Sequence, residues 1–400
     1  MSRLLAGALC VLSPLSVLAE DASGCDGCAD ADALQIEATY TGEMWRQASG
    51  GVARGSRYLD NLDLTASADG GRLFGLPGLQ LFAYVLYNNG HALAEELTGA
   101  TQGVSNIESV DAVRLYELWS QWESGAGAQS IRFGLYDLNT EFDSIETAGL
   151  FIHPSHGIGP DFAQTGRNGP SIFPVTSLAL RAMRAAGPWS LQAAVLDGVP
   201  GDPEHPDRNT IKLSRDEGAL LVGQVSYRAD AGISVNAGYW RYTAKFDDLS
   251  SVDAAGEPRT RDDNAGAYMS VASPMLFKRS EDRGINLFAR VGEAEARINP
   301  IAHYIGAGAV YTGLFSPRDQ AGIAVAVAEL GTPFRRAEAS AGVATDAREY
   351  NYELTYRFEI TEWMALQSDA QYVDNPGMDA SLHAGWTLGL RVEVSAGWAW

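Results

Sequence analysis

Histidine and serine are the residues of this chain that could supply a base and a nucleophile. The chain has six histidines, and two of them, His153 and His156, flank Ser155 in the run HPSH. Hydrolysis needs a nucleophile, a base and an orienting group that the fold holds together. Neighbouring residues of a loop rich in glycine and proline rarely reach that geometry. We therefore predict no catalytic residue and keep a membrane-embedded hydrolase only as a remote alternative.

Cysteine chemistry rests on one CxxC pair, Cys25 and Cys28; the third cysteine, Cys10, lies in an apolar run at the N-terminus. A zinc site would need two further ligands, and neither a second CxxC pair nor a neighbouring histidine supplies them. A local disulfide is expected in an oxidising periplasm, and a redox role is the alternative. We predict no metal site and no cofactor.

The balance of charge is strongly acidic, with a net charge of −21 and a pI near 4.6. A protein that binds nucleic acid needs a basic surface, so we exclude nucleic acid as a partner. Acidic residues concentrate around 202–217 and 247–263. They could bridge lipopolysaccharide through divalent cations or favour cations near a channel mouth, and ordinary solvated charge is the simpler explanation.

Alternation of apolar and polar residues is the main structural signal. From Trp386 to Trp400 every second residue is apolar, while Arg391 and Glu393 lie on the opposite parity. A strand directs alternate side chains to opposite faces, so one face of this segment is apolar throughout. A strand of this kind that ends on an aromatic residue resembles the end signal of bacterial outer-membrane proteins.

The same alternation predicts about sixteen strands, although a soluble sandwich also alternates. Short and long connections between the strands mostly alternate, as expected for a transmembrane antiparallel β-barrel with short periplasmic turns and long outer loops. A barrel of this size encloses a water-filled lumen. The predicted strand centres are Ala38, Leu64, Ala83, Leu118, Phe133, Leu180, Ala193, Val222, Val235, Met269, Leu287, Gly308, Val325, Leu354, Gln367 and Leu390.

The N-terminus has the pattern of a secretory signal peptide. Arg3 is followed by an apolar run to Leu18 and by the small residue Ala19. A membrane anchor is the alternative, but the run is short of the ~20 residues that a span needs. We predict a signal peptide at 1–19, a short periplasmic segment at 20–33 and an outer-membrane β-barrel at 34–400. The long connection 137–176 is predicted to fold inward and narrow the pore.

Several motifs together resemble the carbohydrate-selective porins of the OprB family in Gram-negative bacteria. They match the N-terminal half of the family in order and approximate spacing. The resemblance implies a sixteen-stranded barrel, a constricted channel and passive uptake of small sugars such as monosaccharides. The motifs are LYNNG (86–90), VSNIES (104–109), RLYELW (114–119), RFGLYDLNTEF (132–142), NGPSIFP (168–174) and DGVPGDP (197–203).

A sugar pore needs aromatic groups that stack on sugar rings and polar groups that exchange hydrogen bonds with hydroxyls, in sites weak enough for release. Arg132 lies on the polar parity directly before the long connection, and we expect it to contact the solute. We expect one of Arg114 and Glu117 to face the lumen and the other to lie near a rim. For every candidate, the alternative to contact with the solute is that the side chain is simply solvated or forms an ion pair across the barrel. The further candidates are Trp119, Asn139, Glu141, Phe173, Trp240 and Arg290.

Two loop residues of the VSNIES motif, Asn106 and Glu108, are expected to anchor their loop.

Other functions are also compatible with the sequence. A general or cation-preferring porin would have a lumen dominated by carboxylates, whereas the polar-parity positions here favour arginine and aromatic residues. A structural outer-membrane protein with a closed lumen is the remaining alternative. The expected partners are outer-membrane lipid, lipopolysaccharide and small sugars, with the protein a monomer or a trimer.

Overall fold

The computed structural model describes residues 32–125, 127–280 and 282–400. The predicted signal peptide, nearly all of the predicted segment 20–33 and the pair Cys25 and Cys28 lie outside the described residues. No helix in the described ranges is long and apolar enough to cross a membrane.

Most of the described chain is β-strand. The strands are β1 (Leu34–Gln47), β2 (Gly55–Asp69), β3 (Leu79–Asn89), β4 (Ala112–Glu123), β5 (Gln129–Tyr136), β6 (Ser177–Ala186), β7 (Trp189–Asp197), β8 (Ala219–Arg228), β9 (Ser234–Tyr242), β10 (Phe246–Val252), β11 (Pro258–Arg261), β12 (Ala265–Ala272), β13 (Leu276–Ser280), β14 (Arg283–Ala294), β15 (Ile301–Thr312), β16 (Gln320–Leu330), β17 (Arg348–Thr361), β18 (Met364–Asp374) and β19 (Gly385–Ala399).

The helices are short and lie in the connections. They are α1 (Gly70–Phe74), α2 (Pro160–Ala163) and α3 (Thr332–Ser340), with a π-helical turn at Ala94–Thr98 and 3₁₀ turns at Leu138–Thr140, Glu146–Leu150, Pro154–His156 and Pro376–Met378.

The strands close into one antiparallel barrel. β12 and β13 both pair with β14, so the seventeen strands of the sheet occupy sixteen positions. The barrel closes because β1 pairs with β2 on one side and with β19 on the other, in a register from Gln35 opposite Ala399 to Gln47 opposite Thr387. β10 and β11 form a separate hairpin. All sixteen predicted centres lie within barrel strands, which confirms the predicted fold.

The outer surface of the barrel is apolar. Met44, Leu354 and Leu390 are among many large apolar side chains that the strands expose outwards. A soluble protein would bury such a surface, whereas a lipid-facing barrel requires it. Tryptophan side chains are exposed near the end that carries the short connections, as expected for an aromatic girdle at a membrane interface. They are Trp122, Trp189, Trp363 and Trp398.

Two connections fold into the barrel. The first is the predicted one, 137–176, here called the long inward segment; its Phe142, Ile152 and Phe162 are completely buried. The second is 90–111, here called the short inward segment, whose Leu93 is also completely buried. The alternation of apolar and polar residues did not predict this second inward connection. Apolar side chains of both segments are buried inside the lumen. The barrel therefore has apolar contacts on its inner side as well as on its lipid-facing side.

The inner face of the barrel has two kinds of wall. On β7–β9, β12 and β14–β16, here called the apolar wall, the inward residues are mostly apolar or small. Gly322 is an example, since a Cβ there would lie 2.8 Å from the ring of Phe151 in the long inward segment. On β1–β6 and β17–β19, here called the charged wall, the inward residues include many carboxylates and arginines. The long inward segment packs on the apolar wall, in clusters that include Phe288, Val310 and Ala324.

Candidate solute pathway

Trp240 of β9 shows how the long inward segment is held against the apolar wall. Its indole ring stacks on Phe162 with ring centres 5.1 Å apart and planes 3° apart. Tyr242 packs against the edge of the same indole. Trp240 therefore points inward, as its parity predicted, but it is completely covered. The expectation that it lines the pore is corrected, because the segment lies between this side chain and any solute.

Arg290 of β14 is covered in the same way. Its guanidinium donates from Nε to Asp143 Oδ1 at 2.9 Å and from Nη2 to Asp143 Oδ2 at 2.6 Å. It also donates from Nη2 to Asp161 Oδ2 at 3.2 Å. Only 3% of the Arg290 side chain is exposed, so its predicted place on the pore surface is corrected as well. Its contacts make it a tether for the segment.

Arg132, Trp119 and Phe82 form a stack on the charged wall. The Arg132 guanidinium carbon lies 3.9 Å from the centre of the Trp119 ring. The Phe82 ring stacks on Trp119 with centres 4.9 Å apart. Since β4 lies between β3 and β5, Trp119 lies between Phe82 and Arg132. Phe82 was not among the predicted pore residues, although it lies on the parity of Gln80 and Tyr84, which face inward.

Glu141 is the residue of the long inward segment that contacts this stack, through Arg132. Arg181 of β6 donates from Nε to Glu141 Oε2 at 2.8 Å, and Arg132 Nη2 lies 3.5 Å from Glu141 Oε1. Burial alone would raise the pKa of Glu141, but Arg132 and Arg181 more than offset this and lower it. Arg132 and Glu141 keep 12% and 19% of their side chains exposed. They therefore lie together where the inward segment meets the charged wall, still open to water.

Glu117 and Asp137 hold the base of the long inward segment. Glu117 is buried and accepts hydrogen bonds from the Asp137 backbone N–H and from Trp119 Nε1, each at 3.1 Å. Asp137 accepts from the Asn139 backbone N–H at 2.8 Å and from the Tyr116 hydroxyl. Burial raises the pKa of Asp137 to about 6. Glu117 faces inward as expected, but its oxygens are used in orienting the turn.

The other predicted residues have structural contacts. Arg114 is buried and donates to the carbonyl oxygen of Pro206, in the connection between β7 and β8. An irregularity in β4 places both Arg114 and Glu117 on the inner face, which corrects the expectation that only one of them faces inward. Asn139 Nδ2 donates to the carbonyl oxygens of Phe142 and Gly157, each at 3.1 Å, and so holds its turn.

Phe173 is partly buried, with its ring centre 6.4 Å from that of Tyr116. It therefore packs at the base of the long inward segment, close to the residues that hold the turn.

The short inward segment packs on the other part of the charged wall. Ser105 Oγ donates to Glu43 Oε2 at 2.6 Å. Asn106 Oδ1 accepts from Arg391, which also donates to Glu43 Oε1 at 2.6 Å. Glu108 Oε1 accepts from the Ala94 backbone N–H at 2.9 Å. The anchoring roles predicted for Asn106 and Glu108 are confirmed by these contacts.

Carboxylates dominate the charged wall, contrary to the expectation that arginine and aromatic residues would. Arg357 illustrates the pattern, since it donates to Glu393 at 2.8 Å and to Glu359 at 3.1 Å. Among the described residues, inward-facing carboxylates of this wall exceed the arginines. The carboxylates are Glu37, Glu43, Asp63, Glu117, Glu349, Glu353, Glu359, Asp369 and Glu393, and the arginines are Arg57, Arg114, Arg132, Arg181, Arg357 and Arg391.

The cluster His153, Ser155 and His156 belongs to the long inward segment and is buried against β17. The ring centres of the two histidines lie 5.5 Å apart, and each residue of the cluster is at most 3% exposed. Burial lowers the pKa of His156 to about 3, and burial together with His156 lowers the pKa of His153 well below its usual value. The cluster packs in the interior, where His156 Nε2 lies 3.8 Å from Glu353 of β17. Arg132 lies on β5, in another part of the charged wall.

These features define a class of protein. A closed sixteen-stranded antiparallel barrel with an apolar outer surface and connections folded into its lumen is an outer-membrane diffusion channel. The chain belongs to the carbohydrate-selective porins of the OprB family, whose family model matches residues 53–395. The protein is therefore a porin of the bacterial outer membrane, of a family in which carbohydrates diffuse passively.

Individual relatives agree with this assignment. The chain is similar to Porin B of Pseudomonas aeruginosa, with 25% identity over 398 residues that cover 89% of this chain and 86% of the relative. It resembles the high-pH structure of Pseudomonas putida OprB with a TM-score of 0.81 and 20% identity, over 91% of this chain and 94% of that one. The outer-membrane channel DcaP of Acinetobacter baumannii shares the fold at a TM-score of 0.55 and 12% identity, over 91% and 97%.

Proposed function

We propose that this porin passes monosaccharide-sized carbohydrates along the charged wall, in contact with Arg132 and Glu141. The observation that carries the proposal is the position of these two side chains, which remain partly exposed where the long inward segment approaches the wall. A guanidinium and a carboxylate offer donors and acceptors to successive hydroxyls of a sugar. Both groups are already paired with protein partners, so a sugar exchanges bonds with them and is not held tightly.

The aromatic neighbours of Arg132 support a solute that has both apolar and polar surfaces. Phe82 and Trp119 stack beside the guanidinium. The Trp119 ring lies between two other groups, so a passing sugar ring meets its edge or the partly exposed Phe82. This limits the stacking energy and favours fast release.

We propose no catalytic activity for the cluster around Ser155. Ser155 and its flanking histidines are buried away from Arg132, and the Tyr304 hydroxyl donates to the Ser155 carbonyl oxygen at 2.8 Å. The protein acts as a passive channel without a cofactor or a metal. Its partners are small sugars, outer-membrane lipid and lipopolysaccharide, and it functions as a monomer or a trimer.

Single-channel conductance in a planar bilayer tests the proposal. Refolded protein is titrated with glucose and with longer maltodextrins, and saturable block by glucose is the expected result. Arg132→Ala should weaken this block. Arg184→Ala is the matched control, because Arg184 lies on β6 with its side chain exposed away from the lumen, and it should leave the block unchanged. Absence of conductance in the folded wild-type protein would contradict the pore itself.

A second candidate function is a general porin that prefers cations. The excess of inward carboxylates on the charged wall favours it, since fixed negative charge concentrates cations in a narrow pore. The reversal potential across a KCl gradient measures this preference. A strong cation preference together with large steps that glucose does not block would favour the general porin over the sugar channel.

A further inference from the structure

Arg290 carries a buried charge on an inner face that is otherwise neutral around it. Its neighbours on the apolar wall are Phe288, Gly292, Tyr268 and Tyr304, and its guanidinium carbon lies 5.1 Å from the ring centre of Tyr304. A buried arginine without partners is unfavourable, so its position must be explained by what it binds.

Its partners come from two separate parts of the long inward segment. Asp143 follows the first 3₁₀ turn, and Asp161 lies in α2. Both aspartates are at most 1% exposed. A single guanidinium can bind two carboxylates because its five N–H groups point in fixed directions within one plane. Arg290 thus joins two separate parts of the long inward segment, at Asp143 and at Asp161, to β14.

The surroundings are shaped for this contact. A Cβ on Gly292 would lie 2.1 Å from Asp161 Oδ2, and one on Gly159 would lie 2.0 Å from Arg290 Nη1. The Asp143 backbone N–H donates to Gln224 Oε1 at 3.0 Å and to the Tyr268 hydroxyl at 3.1 Å. Backbone and side chain of Asp143 are therefore both fixed to the apolar wall.

Asp143 is also only two residues from Glu141, whose carboxylate meets Arg181 and Arg132 on the charged wall. Between these two residues the segment passes from the charged wall to the apolar wall, since Gln224 of β8 contacts the backbone of both. Because a chain of two residues has little reach, fixing Asp143 to Arg290 restricts where Glu141 can lie relative to Arg132.

We propose that Arg290 is a positioning residue for permeation: it binds Asp143 and Asp161, and thereby sets the width of the pore and the separation of Glu141 from Arg132. The link to sugar selectivity rests on the function proposed above, whereas the effect on pore width does not. Arg290 itself touches no solute.

The test compares Arg290→Met with the wild type in planar bilayers and in liposome-swelling assays. The size limit is measured with polyethylene glycols of increasing mass, and selectivity with glucose against maltotriose. We expect Arg290→Met to conduct severalfold more, with larger current fluctuations, and to admit polyethylene glycols and maltotriose that the wild type excludes. Heat-modifiable electrophoretic mobility establishes that the barrel has folded.

Arg318→Met is the matched control. Arg318 also faces two carboxylates, Glu359 at 3.8 Å and Glu362 at 3.7 Å, but it lies in the connection between β15 and β16 and does not bind the inward segment. It should keep the wild-type size limit. A folded Arg290→Met channel with the wild-type conductance and size limit would overturn the proposal.

Two further variants keep the test decisive if Arg290→Met fails to fold. Asp161→Asn retains the bond to Asp143 and should widen the pore by a smaller amount. The triple variant Arg290→Met/Asp143→Asn/Asp161→Asn leaves no buried charge unpaired, so it should fold. Because it also lacks the ion pairs that hold the segment, it should admit larger polyethylene glycols than the wild type. A wild-type size limit in both Asp161→Asn and the folded triple variant would contradict the inference. If the wild type shows no preference for glucose, the sugar proposal fails, while the polyethylene glycol limit still tests Arg290.

Discussion

On the apolar wall, Phe288 and Ala324 face the long inward segment and exclude water. On the charged wall, Glu43, Arg132 and Glu393 lie on the corresponding inner face. The strands on both sides expose apolar residues to the outside. The apolar wall is therefore buried on its two faces, like a strand in a protein core, while the charged wall has one apolar and one polar face.

This difference shows that the lumen contains a hydrophobic core as well as a pathway. The apolar wall and the long inward segment are stabilised by burial and close packing, which respond strongly to changes of volume. The charged wall is stabilised by hydrogen bonds and ion pairs, some of them buried, such as Arg391 with Glu43. The pairs of Arg132 and Arg357 remain partly exposed and should respond weakly. Substitutions on the two walls should consequently differ in size of effect, and the following predictions test that contrast.

The largest effect is expected from Phe162→Ala. Removing a buried aromatic ring costs about 3–5 kcal/mol, and here it leaves a cavity against Trp240. We expect the long inward segment to lose protection in hydrogen–deuterium exchange while the barrel strands keep theirs. Phe82→Ala on the charged wall is the control, because Phe82 is only partly buried, and it should leave protection of the segment near that of the wild type.

A smaller effect is expected from Gly322→Val. Its Cβ would lie 2.8 Å from Phe151 Cζ and 2.9 Å from Leu150 Cδ2, and overpacking of this kind costs about 1–3 kcal/mol. The segment should move away from β16, which single-channel conductance would record as a changed step size. Gly397→Val is matched to it on the charged wall, since the nearest contact to its Cβ is 3.8 Å away. Equal changes in the two variants would contradict the contrast between the walls.

A pH-dependent effect is expected at Asp143. Burial raises its pKa to about 6, and Arg290 offsets this only in part. Its contribution to docking of the long inward segment is therefore fully present below the usual aspartate pKa and is lost as the pH rises through about 6. Buried His153 and His156 act in the opposite direction, because they must stay neutral as the pH falls. Both histidines are present in the wild type and in Asp143→Asn, so their contribution to the pH dependence cancels when the two proteins are compared.

We expect the ratio of hydrogen-exchange protection in the segment, wild type over Asp143→Asn, to rise as the pH falls from 7 to 4, once intrinsic exchange rates are corrected. A constant ratio would show that Asp143 does not titrate in this range.

The smallest effect is expected on the charged wall, from Arg357→Gln. Arg357 pairs with Glu359 and Glu393 near water, and such pairs contribute about 0–1 kcal/mol. Thermal unfolding followed by electrophoretic mobility should change little. The reversal potential in a KCl gradient should shift towards stronger cation preference, because one positive charge is lost. A large loss of stability would mean that the surroundings of Arg357 are also a packed core.

The strand positions could be predicted because alternation is a local property of the chain. Leu354 and Leu390, for example, lie at the centres of clear period-two patterns and fall within β17 and β19. The longest connections, such as 137–176 and 198–218, lie at one end of the barrel, as their lengths predicted, whereas the short connection 295–300 lies at that end too.

The contents of the lumen could not be predicted in the same way, although signals were present. β16 reads QAGIAVAVAEL, with apolar residues on both parities, which indicates burial on two faces. Trp240 lies on the parity of Ser234 and Asn236, where an indole suggests a covering layer. Leu93 and Val104 likewise mark 90–111 as a segment that folds inward.

Partners of individual charges were beyond sequence reasoning. Arg290 and Asp143 are 147 positions apart, and their contact depends on how the segment crosses the lumen. Their pairing follows from packing in three dimensions and not from any local pattern, so Arg290 was expected on the pore surface, where its parity alone would place it.

Closure of the barrel by β1 and β19 has a consequence for assembly. The two strands pair from Gln35 opposite Ala399 onwards, so the contact joins residues from nearly opposite ends of the described chain. Contacts of such high sequence separation make folding slow. Until β19 docks, β1 and β18 both present unpaired edges, which readily recruit other strands. A chain that has folded only as far as β18 is an open sheet. Such an intermediate stays free of aggregation only while its two unpaired edges are kept from pairing with other strands.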